Sequence, residues 1–251
     1  HRKDDRRASV SAEDMCGFCA APWVEGLIRM NGDVHVCCRN STIMGNIKEH
    51  TLEQIWWGET VQGFRKKIAA GAFPDKACAQ CYGNGTARSL SAELSSTLMY
   101  EAPILGAMLA GRVVQKMAAV LRLRKTDPHD PAIQDYLNHL QRLVETQDGT
   151  DPRIPMALRK LTVVGTIARD YFARELKPQC VAPWRQINLI TKCNARCFHC
   201  PARFRGLLEQ GGVMDKAMVD MALSRPAEII EFFMNGSEFL LYPDWKKVAH
   251  L

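Results

Sequence analysis

Residues 187–200 read Ile187-Asn-Leu-Ile-Thr-Lys-Cys193-Asn-Ala-Arg-Cys197-Phe-His-Cys200. Ile187 to Thr191 is a short strand, and a loop carrying CxxxCxxC follows it. Downstream the pattern predicts a helix near Lys216 to Leu223. A second strand, Glu228-Ile-Ile-Glu-Phe-Phe-Met234, then runs into Asn235-Gly236. Strand–helix–strand is the unit of a parallel α/β sheet. Three thiolates within eight residues can wrap one metal centre and leave a coordination position open, the arrangement of a reactive rather than a structural site. Two plainer readings stand beside it. Offsets of four and three also place the cysteines on one helical face as a buried stripe, and zinc takes the same donors. Position favours the reactive centre, because α/β sheets bind ligands at the carboxyl ends of their strands.

Working outward, ten cysteines stand among 251 residues, and nine of them fall in two short regions, with Cys180 apart. That density is not a small disulfide scaffold. The opening HRKDDRRASV is no secretory leader, so metal-bound thiolates in a reducing, cytoplasmic setting are expected. Charge is 33 basic against 27 acidic residues, net +6, too dispersed to argue for nucleic acid. The longest apolar run, Ala102 to Gly111, is far short of the roughly 20 residues that span a bilayer.

The sequence predicts a charged segment 1–14, expected to be mobile, a Cys-rich region 15–85, a helical middle 86–180 and the α/β region 181–251. In the second, Gly26-Leu-Ile-Arg-Met, Asn31-Gly32 and Asp33-Val-His-Val read as a hairpin with a tight Asn-Gly turn. Thr51-Leu-Glu-Gln54 is a capping box opening a short helix through Trp56 and Trp57, which read as core rather than as a stacking platform. Another helix is expected from Thr60 to Ala70. His35 reads as a strand surface residue. In the middle region, Leu105, Met108, Leu109, Val113, Met117, Val120 and Leu121 recur at helical spacing. Asp130-Pro131 opens a helix with stripe Ile133, Leu137, Leu140, Val144 and end at Gly149. A third helix covers Met156 to Glu175. Cys19-Ala-Ala-Pro-Trp23 is echoed by Cys180-Val-Ala-Pro-Trp184, too briefly to establish duplication.

Two resemblances follow from these residues. Asn188 to Cys200 resembles the opening motif of the radical S-adenosylmethionine (radical SAM) enzymes. The resemblance implies that Cys193, Cys197 and Cys200 ligate a 4Fe-4S cluster and that His199 packs near the adenine. Gly236-Ser237-Glu238, ahead of Pro243-Asp244, resembles the family's Gly-Gly-Glu-Pro motif, which meets the SAM amino group. Ser237 and Phe239 depart from it. The implied chemistry is reductive cleavage of SAM to a 5′-deoxyadenosyl radical for modification of a peptide, protein or other substrate. An electron donor such as a flavodoxin or ferredoxin would serve as partner.

Residues 15–85 are similar to the SPASM domain, which holds auxiliary clusters beside radical SAM barrels. The shared features are Cys19, Pro22-Trp23, Gly32, Cys37, Gly45-Asn46, the Trp56-Trp57 helix, Arg65 and Cys78-Ala-Gln-Cys81. The resemblance implies one auxiliary 4Fe-4S cluster on Cys19, Cys37, Cys78 and Cys81, with Cys16 and Cys38 as neighbours able to substitute. The pairs Cys16-x-x-Cys19 and Cys78-x-x-Cys81 are equally zinc-type knuckles.

The order departs from the family, in which the auxiliary domain usually follows the barrel. Only 51 residues follow Cys200, fewer than a barrel of about 30-residue units requires. The expected fold is therefore α/β plus α: a SPASM-like hairpin and helix region, a helical middle, and the first strand–helix–strand unit of a radical SAM partial barrel. The chain is expected to be a piece of a longer protein. A non-catalytic zinc- or cluster-binding interaction module is the alternative.

Overall fold

The computed structural model describes residues 19–87, 89–122, 129–146, 151, 153–191, 212–236, 242–243 and 245–246. The chain opens with a one-turn helix α1 (Ala21–Val24) and runs straight into β1 (Glu25–Ile28), β2 (Asp33–His35) and β3 (Ile43–Asn46). Four helices follow: α2 (Leu52–Trp56), α3 (Glu59–Ala69), α4 (Lys76–Gly83) and α5 (Leu90–Glu101). A 3-10 turn (Ala102–Leu105) precedes α6 (Ala107–Val120), α7 (Pro131–Thr146) and α8 (Arg153–Phe172). The C-terminal region supplies β4 (Trp184–Ile190), α9 (Lys216–Ala222), a 3-10 turn at Pro226–Glu228 and β5 (Glu231–Gly236).

The five strands form one sheet in the order β3-β2-β1-β4-β5. The N-terminal strands are an antiparallel meander. β1 then pairs in parallel with β4, Glu25 opposite Trp184 and Ile28 opposite Ile187, and β4 pairs in parallel with β5. The sheet thus crosses from the Cys-rich region to the α/β region, and the expected strand–helix–strand unit is present as β4-α9-β5.

Two cores hold this frame. One lies among α5 to α8 and α1, around Trp23, Leu94, Met117, Tyr136, Leu140 and Leu161. The other joins the sheet to α2, α3 and α9 through Ile28, Val34, Trp56, Val61, Ile187 and Val219. Each fully buried side chain of this size contributes about 1.5–3 kcal/mol. Among the described residues, no helix is long and apolar enough to cross a membrane.

Several local expectations are corrected. The hairpin loop is three residues, Met30 to Gly32, closed by Arg29 N–H donating to Asp33 O at 2.8 Å. Only Gly32 takes positive φ, at 94°, as a loop longer than two residues requires at its αL position. The apolar run through Leu105 to Leu121 is no single helix: Gly106, at φ 83°, separates the 3-10 turn from α6. On α7 the buried stripe is Ile133, Tyr136, Leu140 and Leu143, while Val144 is 55% exposed. The face is rotated because Tyr136 packs inward and its hydroxyl donates to Leu161 O at 3.0 Å. The third helix begins at Arg153 and ends at Phe172. The second C-terminal strand starts at Glu231, because Pro226–Glu228 is a 3-10 turn. Residue 149, expected to end α7, lies outside the described residues.

Candidate metal centre

Cys19 lies just before α1, Cys37 just beyond β2, and Cys78 and Cys81 on α4. Local chemistry puts each in place. α4 starts at Asp75, whose Oδ1 accepts from Cys78 N at 2.9 Å. This N-cap orients the helix, and Asp75 is itself held by Asn40 Nδ2 at 2.6 Å. Asn40 is buried and also reaches Cys78 Sγ at 3.6 Å. β2 ends at His35, opposite Leu27, and Cys37 follows in the bend beyond it, close enough to Glu25 to feel its charge. Cys19 packs on the helical core, Cys37 on the sheet core, and Cys78 on both.

Burial, together with the charges of Glu25 and Cys19, pushes the Cys37 thiol up to about 12 against backbone hydrogen bonds from Arg39 and Asn40. Burial, then Asp75, does the same to Cys78, and Cys19 again adds to the rise. Cys37 and Cys78 therefore each feel Cys19. Cys81 stands one turn along α4, its Sγ 3.3 Å from Thr86 Oγ1. As free thiols Cys37 and Cys78 stay protonated near neutral pH, so a metal centre must displace those protons, as thiolate ligation does.

Among the described residues, no three His, Cys, Asp or Glu side chains stand close enough together to hold a metal ion. A single tetrahedral zinc draws its sulfurs to roughly 4 Å from one another, from Zn–S near 2.3 Å. A four-iron cube spreads four thiolates over four irons and takes a wider ring. The donor set of the resemblance is four half-buried thiols, the donor chemistry that iron–sulfur clusters take and that zinc takes as well.

The surroundings are tied down by long-range contacts. Arg65 on α3 is fully buried. Its Nε donates to Pro22 O at 2.8 Å, and its Nη1 donates to Trp56 O at 2.9 Å and Leu176 O at 2.8 Å. Three tryptophans donate their indole N–H to the segment ahead of β4: Trp23 to Glu175 O at 2.9 Å, Trp57 to Pro178 O at 2.9 Å and Trp56 to Cys180 O at 3.0 Å. Trp56 and Trp57 are thus packed and hydrogen-bonded core residues, as expected. His35 is not a surface residue: it is buried, and its Nδ1 has no hydrogen-bond partner. Its backbone hydrogen-bond partners Thr42 and Asn40 lie beyond β2 in the chain, which sequence periodicity could not reveal.

At the other end of β4, Thr191 and Gly212 face each other. Thr191 N–H donates to Gly212 O at 3.1 Å, and Gly212 N–H donates to Thr191 Oγ1 at 2.8 Å. Gly236 pairs with Ile190 at the same end. Cys193, Cys197, Cys200, His199, Ser237 and Glu238 lie outside the described residues, as does Cys16.

Sequence reasoning missed Glu25 and Asn40, which border the thiols. The one signal for Glu25 was an acid in an otherwise apolar strand.

Residues 19–82 match the family model of SPASM, an iron–sulfur cluster-binding domain. The matched span opens at Cys19 and takes in Cys37, Cys38, Cys78 and Cys81. No curated protein and no solved structure matches the chain. The N-terminal region therefore carries the character of an iron–sulfur cluster-binding domain, built into a mixed α/β sheet.

Proposed function

We propose that the chain belongs to a radical SAM iron–sulfur protein, in which Cys193, Cys197 and Cys200 hold a 4Fe-4S cluster and Cys19, Cys37, Cys78 and Cys81 an auxiliary one. The activity proposed is reductive cleavage of SAM, with an electron donor of the flavodoxin or ferredoxin kind, to modify a peptide, protein or other substrate. The observation that carries this reading is the pairing of β4 with β5. They are adjacent parallel strands, and the segments bearing the Cys triplet and Ser237-Glu238 leave from the same, carboxyl-terminal end, where α/β sheets take ligands. The SPASM match supplies independent support, since that domain accompanies radical SAM barrels in the resemblance above.

In this reading the cluster supplies the electron, and the protein supplies position and exclusion of water. Gly236 ends β5, and Glu238 would accept a hydrogen bond from the SAM ammonium. Cys19, Cys37, Cys78 and Cys81 would close the auxiliary site, leaving it to store or relay an electron.

Anaerobic reconstitution with iron and sulfide tests the reading. About eight irons per chain, the sum of two four-iron sites, is the expected result, together with 5′-deoxyadenosine formed from SAM under dithionite. Stoichiometric zinc with negligible iron would leave the metal-binding interaction module as the better account.

A further inference from the structure

A cleft of about 540 Å³ opens where the end of α2, the helix α8, the segment ahead of β4 and the turn ahead of β5 meet. Trp57, Thr166, Lys177, Cys180, Arg225 and Glu228 line it. Small-molecule sites run to roughly 300–1,000 Å³. None of the cysteines assigned to a cluster lies in its walls.

Contacts between distant segments fix these walls. The Trp57 indole N–H donates to Pro178 O at 2.9 Å. Gln179 N–H donates to Asp170 Oδ2 at 2.7 Å, and Val181 N–H donates to Glu228 Oε2 at 2.8 Å. Arg225 holds φ at 56°, a left-handed conformation uncommon outside glycine and kept where the surroundings over-determine it. Its Nη1 donates to Glu53 Oε1 at 2.8 Å and its Nε to Glu228 Oε1 at 2.7 Å.

The charges of the cleft are unevenly matched. Arg225 is answered by two carboxylates, and both oxygens of Glu228 accept hydrogen bonds. Lys177 is exposed, its backbone N–H donates to Glu175 Oε1, and among the described residues its ammonium has no partner. The apolar lining is the Trp57 ring, whose one N–H is already spent, and the Cys180 thiol, which burial pushes up to about 12 and so keeps neutral.

We propose that this cleft binds a small organic monoanion with a flat apolar body, such as an aromatic carboxylate, its charge paired with Lys177 and its plane against Trp57. One unmatched cation calls for one negative charge, and a hydrogen bond between ionised groups is the strong kind. An aromatic wall favours a flat partner, which it can meet by offset stacking. The site does not depend on which metal the cysteines hold.

The test titrates the full chain with naphthoate by calorimetry. Naphthamide serves as the neutral isostere and acetate as the anion without a ring. Naphthoate is expected to bind at a single site and to raise the thermal unfolding midpoint, since it binds the folded state alone. Naphthamide and acetate are each expected to bind at least about tenfold more weakly, and Lys177→Gln to weaken naphthoate by about tenfold or more, the worth of a hydrogen bond to a charged group. Lys177→Arg keeps the charge and should stay within a few-fold of the parent. Lys48→Gln removes an exposed cation from another segment and should bind as the parent does. Naphthoate that gives neither heat nor a midpoint shift at millimolar concentration overturns the proposal. So does naphthamide bound as tightly as naphthoate, or an affinity that Lys177→Gln leaves unchanged. An equal loss in Lys48→Gln would reduce the effect to net charge and overturn the site as well.

Discussion

Arg65 and Leu176 stand 111 residues apart in the chain, yet Nη1 of the one donates to the carbonyl oxygen of the other at 2.8 Å. The same guanidinium stacks 4.7 Å over the Trp56 ring and holds the Pro22 and Trp56 carbonyls. One side chain therefore ties α1, α2 and α3 to the segment that feeds β4. The Cys-rich region and the α/β region share this tie as well as a sheet.

Arg65→Leu should be costly. It strands three carbonyls, two of them through buried bonds, and each buried acceptor left unpaired costs about 1–3 kcal/mol. Arg65→Lys keeps the charge but loses the planar fork, and should fall between parent and Leu variant. Urea unfolding midpoints check both. Equal stability of all three proteins would show that the tie is unimportant.

Trp56→Phe and Trp57→Phe should separate by burial. Trp56 is fully buried, so its Phe variant leaves a void and an unpaired Cys180 carbonyl, at a cost of about 2–4 kcal/mol. Trp57 is half-buried, and water can replace its bond to Pro178, so about 1 kcal/mol is expected. Thermal unfolding followed by circular dichroism measures the difference, and the reverse order would contradict the assignment.

Gly165 on α8 tests packing against propensity. Ala in a helix interior gains about 1 kcal/mol over Gly. A Cβ here, however, would stand 2.7 Å from Leu137 Cδ2 and Tyr136 Cε1, and overpacking costs about 1–3 kcal/mol. Gly165→Ala is therefore expected to lower stability. A rise in the unfolding midpoint would show that α7 and α8 yield easily.

Asp75 gives a pH-dependent prediction. Burial raises its carboxyl, but the hydrogen bonds from Cys78 N, Asn40, the Cys78 thiol and Ala77 N outweigh it and hold it below its ordinary value. A carboxylate depressed in the folded state stabilises above its unfolded value, and that contribution is lost as pH falls through the folded value. Asp75→Ala should cost about 1 kcal/mol at neutral pH through the lost N-cap. The gap between the two proteins should shrink below pH of roughly 4. Unfolding midpoints across pH 3–7 are the measurement, and a gap that widens on acidification would refute the sign.

The two cysteine sets should behave independently. Cys78→Ala/Cys81→Ala should abolish the auxiliary iron and loosen α4 and its surroundings, since metal binding and folding are coupled. The Cys193/Cys197/Cys200→Ala variant should keep that iron and lose SAM-dependent chemistry. A triple variant retaining all the iron of the parent would mean that the wrong ligands were named.

What the sequence determined was mostly local. Thr51 and Gln54 form the reciprocal capping box, and Ala132 N–H donates to Asp130 Oδ1 at 2.9 Å as the Asp-Pro start implies. β4 and β5 emerged where apolar runs of strand length stood. Such features rest on contacts a few residues apart, so composition and spacing suffice to read them. The tertiary structure alone decided that β1 lies beside β4 in parallel, 159 residues away in register. That pairing gives the buried Glu25 its partner Gln186. No local period encodes it, because each strand had two edges available. The choice between edges was made by side chains far apart in sequence, Arg65 and the three tryptophans among them, which hold the segment before β4 against the N-terminal helices.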